Sequence, residues 1–331
     1  MRSPLLARLT LSAAAAVALL GTRSATPAVE AKRWYRGNLH THTTHSDGDS
    51  TPDEVARWYK ENRYQFLVLS DHNYLTEVAG LNGILAASER FLLIPGEEVT
   101  SQFNQSPVHV NGYNLTRLVA PSRGESVVET IQRNVDAIRE AGGLPSVNHP
   151  NFRWAFGSRE LLQVRDCRLF EVYNGHPTVY NRGGGGGESL DEMWDVLLTA
   201  GRRIYGIAVD DAHRFKEFRK DLSNPGKGWV MARAPSLSTE GIMAALQSGD
   251  FYATTGVELI DVSASPTELR VEIKPVADMR YTTKFIGEGG RILEAVKELT
   301  AVYAFTGNEK YVRARVEASN GDDAWVQPVF R

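Results

Sequence analysis

The chain has 331 residues, 42% hydrophobic and 23% charged, with a net charge of −3. That balance fits a globular protein with one large domain, or one large and one small. Lys and Arg are spread along the chain and form no basic stripe, so a small-molecule partner is expected and a nucleic-acid partner is not.

At the start, Arg2 and Arg8 precede an apolar run from Leu9 to Leu20, and small residues follow it. This is the pattern of a secretory signal, too short to span a membrane, with cleavage expected after Ala28 or Ala31. Neither a lipidated cysteine nor a twin-arginine pair accompanies it. Residues 1–31 are read as a signal peptide, and the product as periplasmic or secreted without a stable membrane anchor. Cys167 is the only cysteine, so no intramolecular disulfide can form.

Beyond residue 31, short apolar runs read as strands at 36–40, 65–70, 91–95, 107–113, 144–148, 168–173 and 204–209. Helix patterns lie between several of them. Thr51 caps Pro52-Asp53-Glu54 in a helix running to Asn62. Residues 125–141 repeat Val128, Ile131, Val135 and Ile138 at helical spacing before Gly142-Gly143, and 189–200 repeat Leu190, Met193, Trp194, Leu197 and Leu198. Strand and helix alternating in this way predict a parallel sheet closed, or nearly closed, into a barrel over 32–256, its last helix at 239–248. The run Gly183–Gly187 cannot pack a core and reads as a flexible loop, a candidate lid. From residue 257 the pattern alternates apolar and polar, as in Leu269-Val271-Ile273 and Val312-Ala314-Val316, with turns between. Residues 257–331 are expected to form a small antiparallel β-sandwich that packs against the barrel.

The chemistry gathers at the ends of the apolar runs. In order come His40-Thr41-His42 with Ser46-Asp47-Gly48, Asp71-His72-Asn73, Gly96-Glu97-Glu98, His109, Asn148-His149-Pro150 and Asp211-Ala212-His213. His40 and His42 are two apart, as are Asp211 and His213, so each pair projects to one side of an extended chain. Neutral imidazole and carboxylate suit Zn, Mn and Fe, and barrel enzymes place their sites at the C-terminal strand ends. Cys167 stands at a strand start and is not expected to act as a nucleophile.

These motifs resemble the polymerase-and-histidinol-phosphatase (PHP) superfamily of metal-dependent hydrolases over residues 36 to about 255. The resemblance implies a distorted seven-stranded (β/α) barrel with two to three divalent ions. His40, His42, Glu98 and Asp211 would hold the first ion. Glu98 would bridge to a second held by His109 and His149, while Asp47, His72 and His213 would hold the third. Glu98, Asp211 and His213 form the expected catalytic set. His45 is the alternative to Asp47, and Asp71 and Asp210 are expected to orient ligand histidines. The segments Glu171-Val172-Tyr173-Asn174-Gly175-His176, Gly228-Trp229-Val230 and Phe251–Gly256 narrow the resemblance to exported, carbaryl-hydrolase-like proteins. Arg153, Trp154, Asn174, His176 and Arg182 are candidates for substrate contact, with Arg214 as a further arginine beside the site.

Such ligands imply water activated between two ions ~3.5–4 Å apart, its pKa lowered toward ~7, with no side-chain nucleophile. The leading expectation is a phosphoesterase on a small phosphomonoester or phosphodiester. A carboxyl-ester, carbamate or amide hydrolase is the alternative, with Phe152, Trp154 and Phe156 as its apolar pocket; a non-catalytic metal-containing binding protein comes third. Arginines or aromatics lining the cavity would separate the first two. The signal reading is checked by expressing the whole chain in a Gram-negative host. Intact-mass measurement of the periplasmic product should show a new N-terminus at residue 29 or 32, and an uncleaved chain in the cytoplasm would contradict it.

Overall fold

Seven strands follow one another around a curved sheet: β1 (Arg33–Asn38), β2 (Phe66–Leu69), β3 (Leu92–Phe103), β4 (Ser106–Tyr113), β5 (Leu144–Val147), β6 (Leu169–Asn174) and β7 (Tyr205–Val209). They belong to a computed structural model that describes Met1 and residues 31–85 and 90–331, so the signal segment falls outside the described residues. Helices α1 (Pro52–Glu61), α2 (Ala79–Leu85), α3 (Val127–Glu140), α4 (Ser158–Leu161), α5 (Leu190–Thr199) and α6 (Thr239–Ser248) complete the α/β pattern. Their starts follow the sequence: the Thr51 amide donates to the Glu54 carboxylate at α1, and the Ser126 hydroxyl accepts from the Glu129 amide at α3.

Neighbouring strands run parallel except around β4, which is antiparallel to both β3 and β5. Only Asn104 and Gln105 separate β3 from β4, too short a link for a parallel crossover, and Asn104 takes the turn at φ 52°. The sequence reading ended the third strand at 95. The structure carries it through Glu98 to Phe103, because the following chain returns directly along it. At the other end of the sheet, an isolated parallel bridge joins Thr41 to Ala212 and draws the end of β1 against the residues that follow β7.

β8 (Trp229–Ala234) pairs antiparallel with β1, and β9 (Phe251–Thr254) pairs antiparallel with β8 on its outer side. The remaining strands are β10 (Leu259–Ala264), β11 (Glu268–Ile273), β12 (Tyr281–Gly287), β13 (Arg291–Val296), β14 (Thr300–Ala304), β15 (Tyr311–Ala318) and β16 (Asp323–Phe330). β10, β11 and β14 form a separate antiparallel sheet, whereas β16 pairs with β9 and so joins β12, β13 and β15 to the main sheet. The two layers enclose one core that includes Leu269, Val271, Phe285, Val312, Val316 and Val326. Lys32–Arg331 is one compact unit, with the sheet running unbroken across residue 257.

Two polar clamps fix that junction. The Gln327 amide exchanges hydrogen bonds with the Gly206 backbone at 2.9 and 2.7 Å, pairing the otherwise open edge of β7. Arg313 is 1% exposed, lies over the Trp194 ring and grips Asp195 at 2.7 and 2.6 Å. Removing one member of a buried ion pair leaves the other charge unsolvated. Arg313→Met should therefore cost about 3–5 kcal/mol in urea unfolding. A loss below about 1 kcal/mol would mean that water reaches Asp195 freely.

Candidate metal centre

Seven segments deliver the ligand candidates to one end of the barrel. The chain beyond β1 carries His40 and His42; the Asp211 amide bonds the His40 carbonyl and the His42 amide bonds the Ala212 carbonyl, which seats Asp211 against both rings. A second parallel bridge pairs His72, beyond β2, with Glu98 on β3. His109 lies opposite Thr100 on β4, and the Asn148 amide bonds the His109 carbonyl, placing His149 beside it. The Glu98 side chain turns inward, while that of Glu97 emerges on the other face, where one oxygen accepts from the Val119 amide. Burial pushes the Glu97 carboxyl up to about 7.

At the middle of the site four ligand atoms converge. His40 Nε2 and His42 Nε2 are 3.1 Å apart, and each stands 3.4 Å from Glu98 Oε2 and 3.3 or 3.2 Å from Asp211 Oδ1. A tetrahedral ion with bonds of ~2.0–2.2 Å holds its ligands ~3.3–3.6 Å apart, so these separations are of the size such an ion imposes. Glu98 Oε2 is buried with no N–H or O–H aligned on it, although His72 Nδ1 lies 2.8 Å away, an arrangement that suits a ligand oxygen. The other oxygen, Oε1, faces His109 Nδ1 at 3.0 Å and His149 Nε2 at 3.3 Å. Further out, Asp47 reaches His213 Nε2 at 3.3 Å, His42 Nδ1 at 3.6 Å and His72 Nε2 at 3.7 Å. His72 also turns Nδ1 to Glu98 Oε2 at 2.8 Å, so it stands between two groups.

Charge is shared across the whole set. Burial alone would raise the Glu98 and Asp211 carboxyls, but the imidazoles around them hold both well below the ordinary range. Burial disfavours charge on His72 too, yet Glu98 beside it lifts that ring to about 9; His42, buried against His213, is held down at about 4. Several protons are thus retained only because carboxylates face them, and divalent cations fit the same positions.

All nine predicted ligands meet here, and His45 does not join them: its Nδ1 pairs with the Thr76 hydroxyl and its ring packs on Tyr74. Asp71 and Asp210 depart from their expected role. Asp71 accepts from Thr43, Ser46 and Thr76 and so shapes the loop that presents Asp47; Asp210 accepts from Tyr59, Lys227 and Gly228. Neither touches a histidine ring in these bonds. That loop also needs Gly48, since a Cβ there would lie 2.6 Å from the His42 carbonyl oxygen.

The carboxylate that does orient a ligand histidine is Glu171, which accepts from His40 Nδ1 at 2.7 Å. The sequence signal for it was available: a lone acid inside the apolar strand Leu169–Asn174.

A cavity of about 120 Å³ opens onto Asp47, His72, Glu98, His109, His149 and His213, with Phe152 and His176 on its rim. The other substrate candidates stand elsewhere. Asn174 bonds Glu171 and Asp211, behind the ligands. Trp154 is stacked on Tyr180, with ring centroids 5.0 Å apart, and Arg153 lies over Phe152. Arg182 reaches Asp323 at 3.5 Å and lines a second cavity, of about 540 Å³, with Tyr173 and Trp325. Phe156 belongs to the core. The glycine run turns tightly on itself, Gly184 and Gly187 exchanging backbone bonds, and none of it borders the metal cavity. Cys167 is buried, its thiol pushed up to about 11.

No family model matches the sequence. The fold matches that of a two-domain Bacteroides vulgatus protein containing a predicted PHP-like metal-dependent phosphoesterase, with a TM-score of 0.51 and 17% identity over 89% of this chain and 95% of that one. A Chromobacterium violaceum amidohydrolase with bound sulfate and no metal aligns more loosely, at a TM-score of 0.39 and 18% identity over 57% of this chain and 90% of that one. Among curated proteins, the 5'-3' exoribonuclease Rnm of Escherichia coli is 33% identical over 79 residues, 24% of this chain and 27% of that protein. Its Salmonella typhimurium counterpart is 32% identical over 79 residues, again 27% of its length. The sequence likeness thus spans about a quarter of each relative. The resemblance read from the motifs holds at the level of the fold.

Glu98 is shared between two ligand groups, so its removal should cost more than one ion. Elemental analysis after dialysis should show Glu98→Ala retaining fewer ions than Asp47→Ala. Equal losses would contradict the bridging position.

Proposed function

We propose that this chain is an exported PHP-like metal-dependent hydrolase that cleaves a small phosphoester at a three-ion centre. One observation carries the reading: the two oxygens of buried Glu98 face different ligand groups, and Asp47 gathers a third beside them. These residues would hold ions that, when bound, would activate a water and polarise the bond under attack. Glu98 sets the spacing of the two inner groups. Asp211 fills the fourth corner around His40 and His42. Asp47, more than half exposed, faces the cavity, where a substrate's anionic head approaches.

His176 is the natural first contact for that head. Its Nδ1 accepts from the Thr178 amide, which leaves the proton of the neutral ring on Nε2. Burial, together with His213 and His149 nearby, lowers its pKa and keeps it a neutral donor. The cavity admits a phosphoryl-sized group and leaves the rest of a substrate outside. Support for phosphoester chemistry comes from the two-domain protein of shared fold, which contains a predicted phosphoesterase, and from the exoribonuclease that matches part of the sequence.

Phe152 favours a second reading. It packs on His109 and His149, and no arginine borders the cavity among the described residues, as would suit a carboxyl ester or carbamate. The two readings separate in one assay of the mature chain with Mn, Zn or Fe(II). Turnover of para-nitrophenyl phosphate or its bis-ester should exceed that of Glu98→Ala by about a thousandfold or more. Turnover of only para-nitrophenyl acetate or 1-naphthyl methylcarbamate transfers the assignment to the second reading. No turnover by an ion-loaded chain leaves a binding protein.

A further inference from the structure

We propose that Glu171 is a positioning residue of this centre, fixing two ligand histidines and one ligand carboxylate from a single buried carboxylate. The inference rests on the metal-centre reading and extends it to a residue outside the nine ligands.

Glu171 lies on β6, is fully buried, and makes no salt bridge to a lysine or arginine among the described residues. Three donors converge on it from three strand ends. Its Oε1 accepts from His40 Nδ1 at 2.7 Å, and its Oε2 from the His149 backbone amide at 2.8 Å and from Asn174 Nδ2 at 2.9 Å. Asn174 in turn donates to Asp211 Oδ2 at 3.1 Å. Each contact acts on a different ligand. A carboxylate only accepts, so the proton of His40 is held on Nδ1 and Nε2 is left as the ligating atom, the one that faces His42, Glu98 and Asp211. The bond to the His149 amide fixes the backbone from which that ring projects. Through Asn174, the same carboxylate sets the rotation of Asp211.

Glu171 is close enough to His40 and His149 to be considered a ligand itself. Its hydrogen bonding argues otherwise. Both of its oxygens are occupied by N–H donors, and His40 offers it the nitrogen that points away from Glu98 and Asp211. Glu98 Oε2, by contrast, is buried with no N–H aligned on it, although His72 Nδ1 lies 2.8 Å away. The arrangement is a carboxylate–histidine pair of the kind whose loss weakens metal binding by about 10–100-fold.

Glutamine is the informative substitution. It keeps the volume, so the chain should fold, but its NH2 group must meet one of three donors. The whole mature chain is loaded with Co(II), and three quantities are read: ions bound at saturation, affinity by chelator competition, and the visible Co(II) spectrum. Glu171→Gln and Glu171→Ala should bind the wild-type number of ions with 10–100-fold weaker affinity and a shifted spectrum. Wild-type affinity and spectrum in Glu171→Gln would overturn the proposal. So would a saturating count one ion lower, since Glu171 would then be a ligand. A wild-type chain that binds no Co(II) refutes the metal centre itself, whereas unchanged variants of a chain that binds it refute only the positioning role.

Discussion

Two carboxylates, Glu98 and Asp211, are buried against six imidazoles at one end of the barrel, and the rest of the architecture answers to that constraint. Charged groups removed from water must find partners, or their burial costs several kcal/mol each. Here the partners are one another. Each acid is held below its ordinary range by the imidazoles around it, and at His72 the acid in turn offsets the burial that disfavours charge on the ring. Such a set is poorly matched to a chain without cations and well matched to one that binds them, because ligands must be deprotonated before they coordinate. Folding and metal loading are therefore expected to support each other.

The backbone around the site bears part of that load. Asp211 and Asn73 both take positive φ, at 50°, a region that non-glycine residues seldom occupy. Each is held by a backbone bond to a neighbouring segment: the Asp211 amide to the His40 carbonyl, and the Asn73 amide to the Glu98 carbonyl. The same bonds close the sheet at Thr41–Ala212 and extend it at His72–Glu98. The contacts that close the sheet are thus also those that assemble the site, and the local strain is the cost of bringing candidate ligands from different strands within 4 Å.

Much of this was legible in the sequence because the signals were local. A histidine or acid ending an apolar run marks a strand end, and two-residue spacing marks a shared face, so the candidate ligands could be picked out one motif at a time, and the family resemblance grouped them. The same reasoning failed where a role depends on the partner across the fold. Asp71 and Asp210 sit beside ligand motifs and looked like orienting acids, yet they organise loops. Glu171 sits inside a strand more than 20 residues from every candidate ligand segment, the nearest being Asn148-His149-Pro150, and only the folded sheet brings it to His40. The antiparallel β4 was hidden for a related reason. The reading placed both strands of the hairpin but could not see that the residues between them also extend and leave a two-residue turn. Arg182 failed in the opposite direction: its neighbourhood in sequence suggested the metal cavity, and an acid more than a hundred residues away claims it instead.

The C-terminal strands also bear on the site, although they contribute none of its ligands. β7 has β6 on one side and would expose a free edge on the other, except where the Gln327 amide pairs with Gly206 and the Thr41–Ala212 bridge ties its far end to β1. Asp211 leaves that strand directly. Arg313 holds α5, and α5 follows the loop whose Asn181 exchanges two hydrogen bonds with the Asn174 backbone. Asn174 touches both Glu171 and Asp211. Polar contacts on α5 and on its preceding loop thus connect the C-terminal sheet to the candidate ligands, and the buried members among them must stay paired. Packing alone would hold the two parts together; these contacts determine how accurately the strand ends are held where the ligands meet.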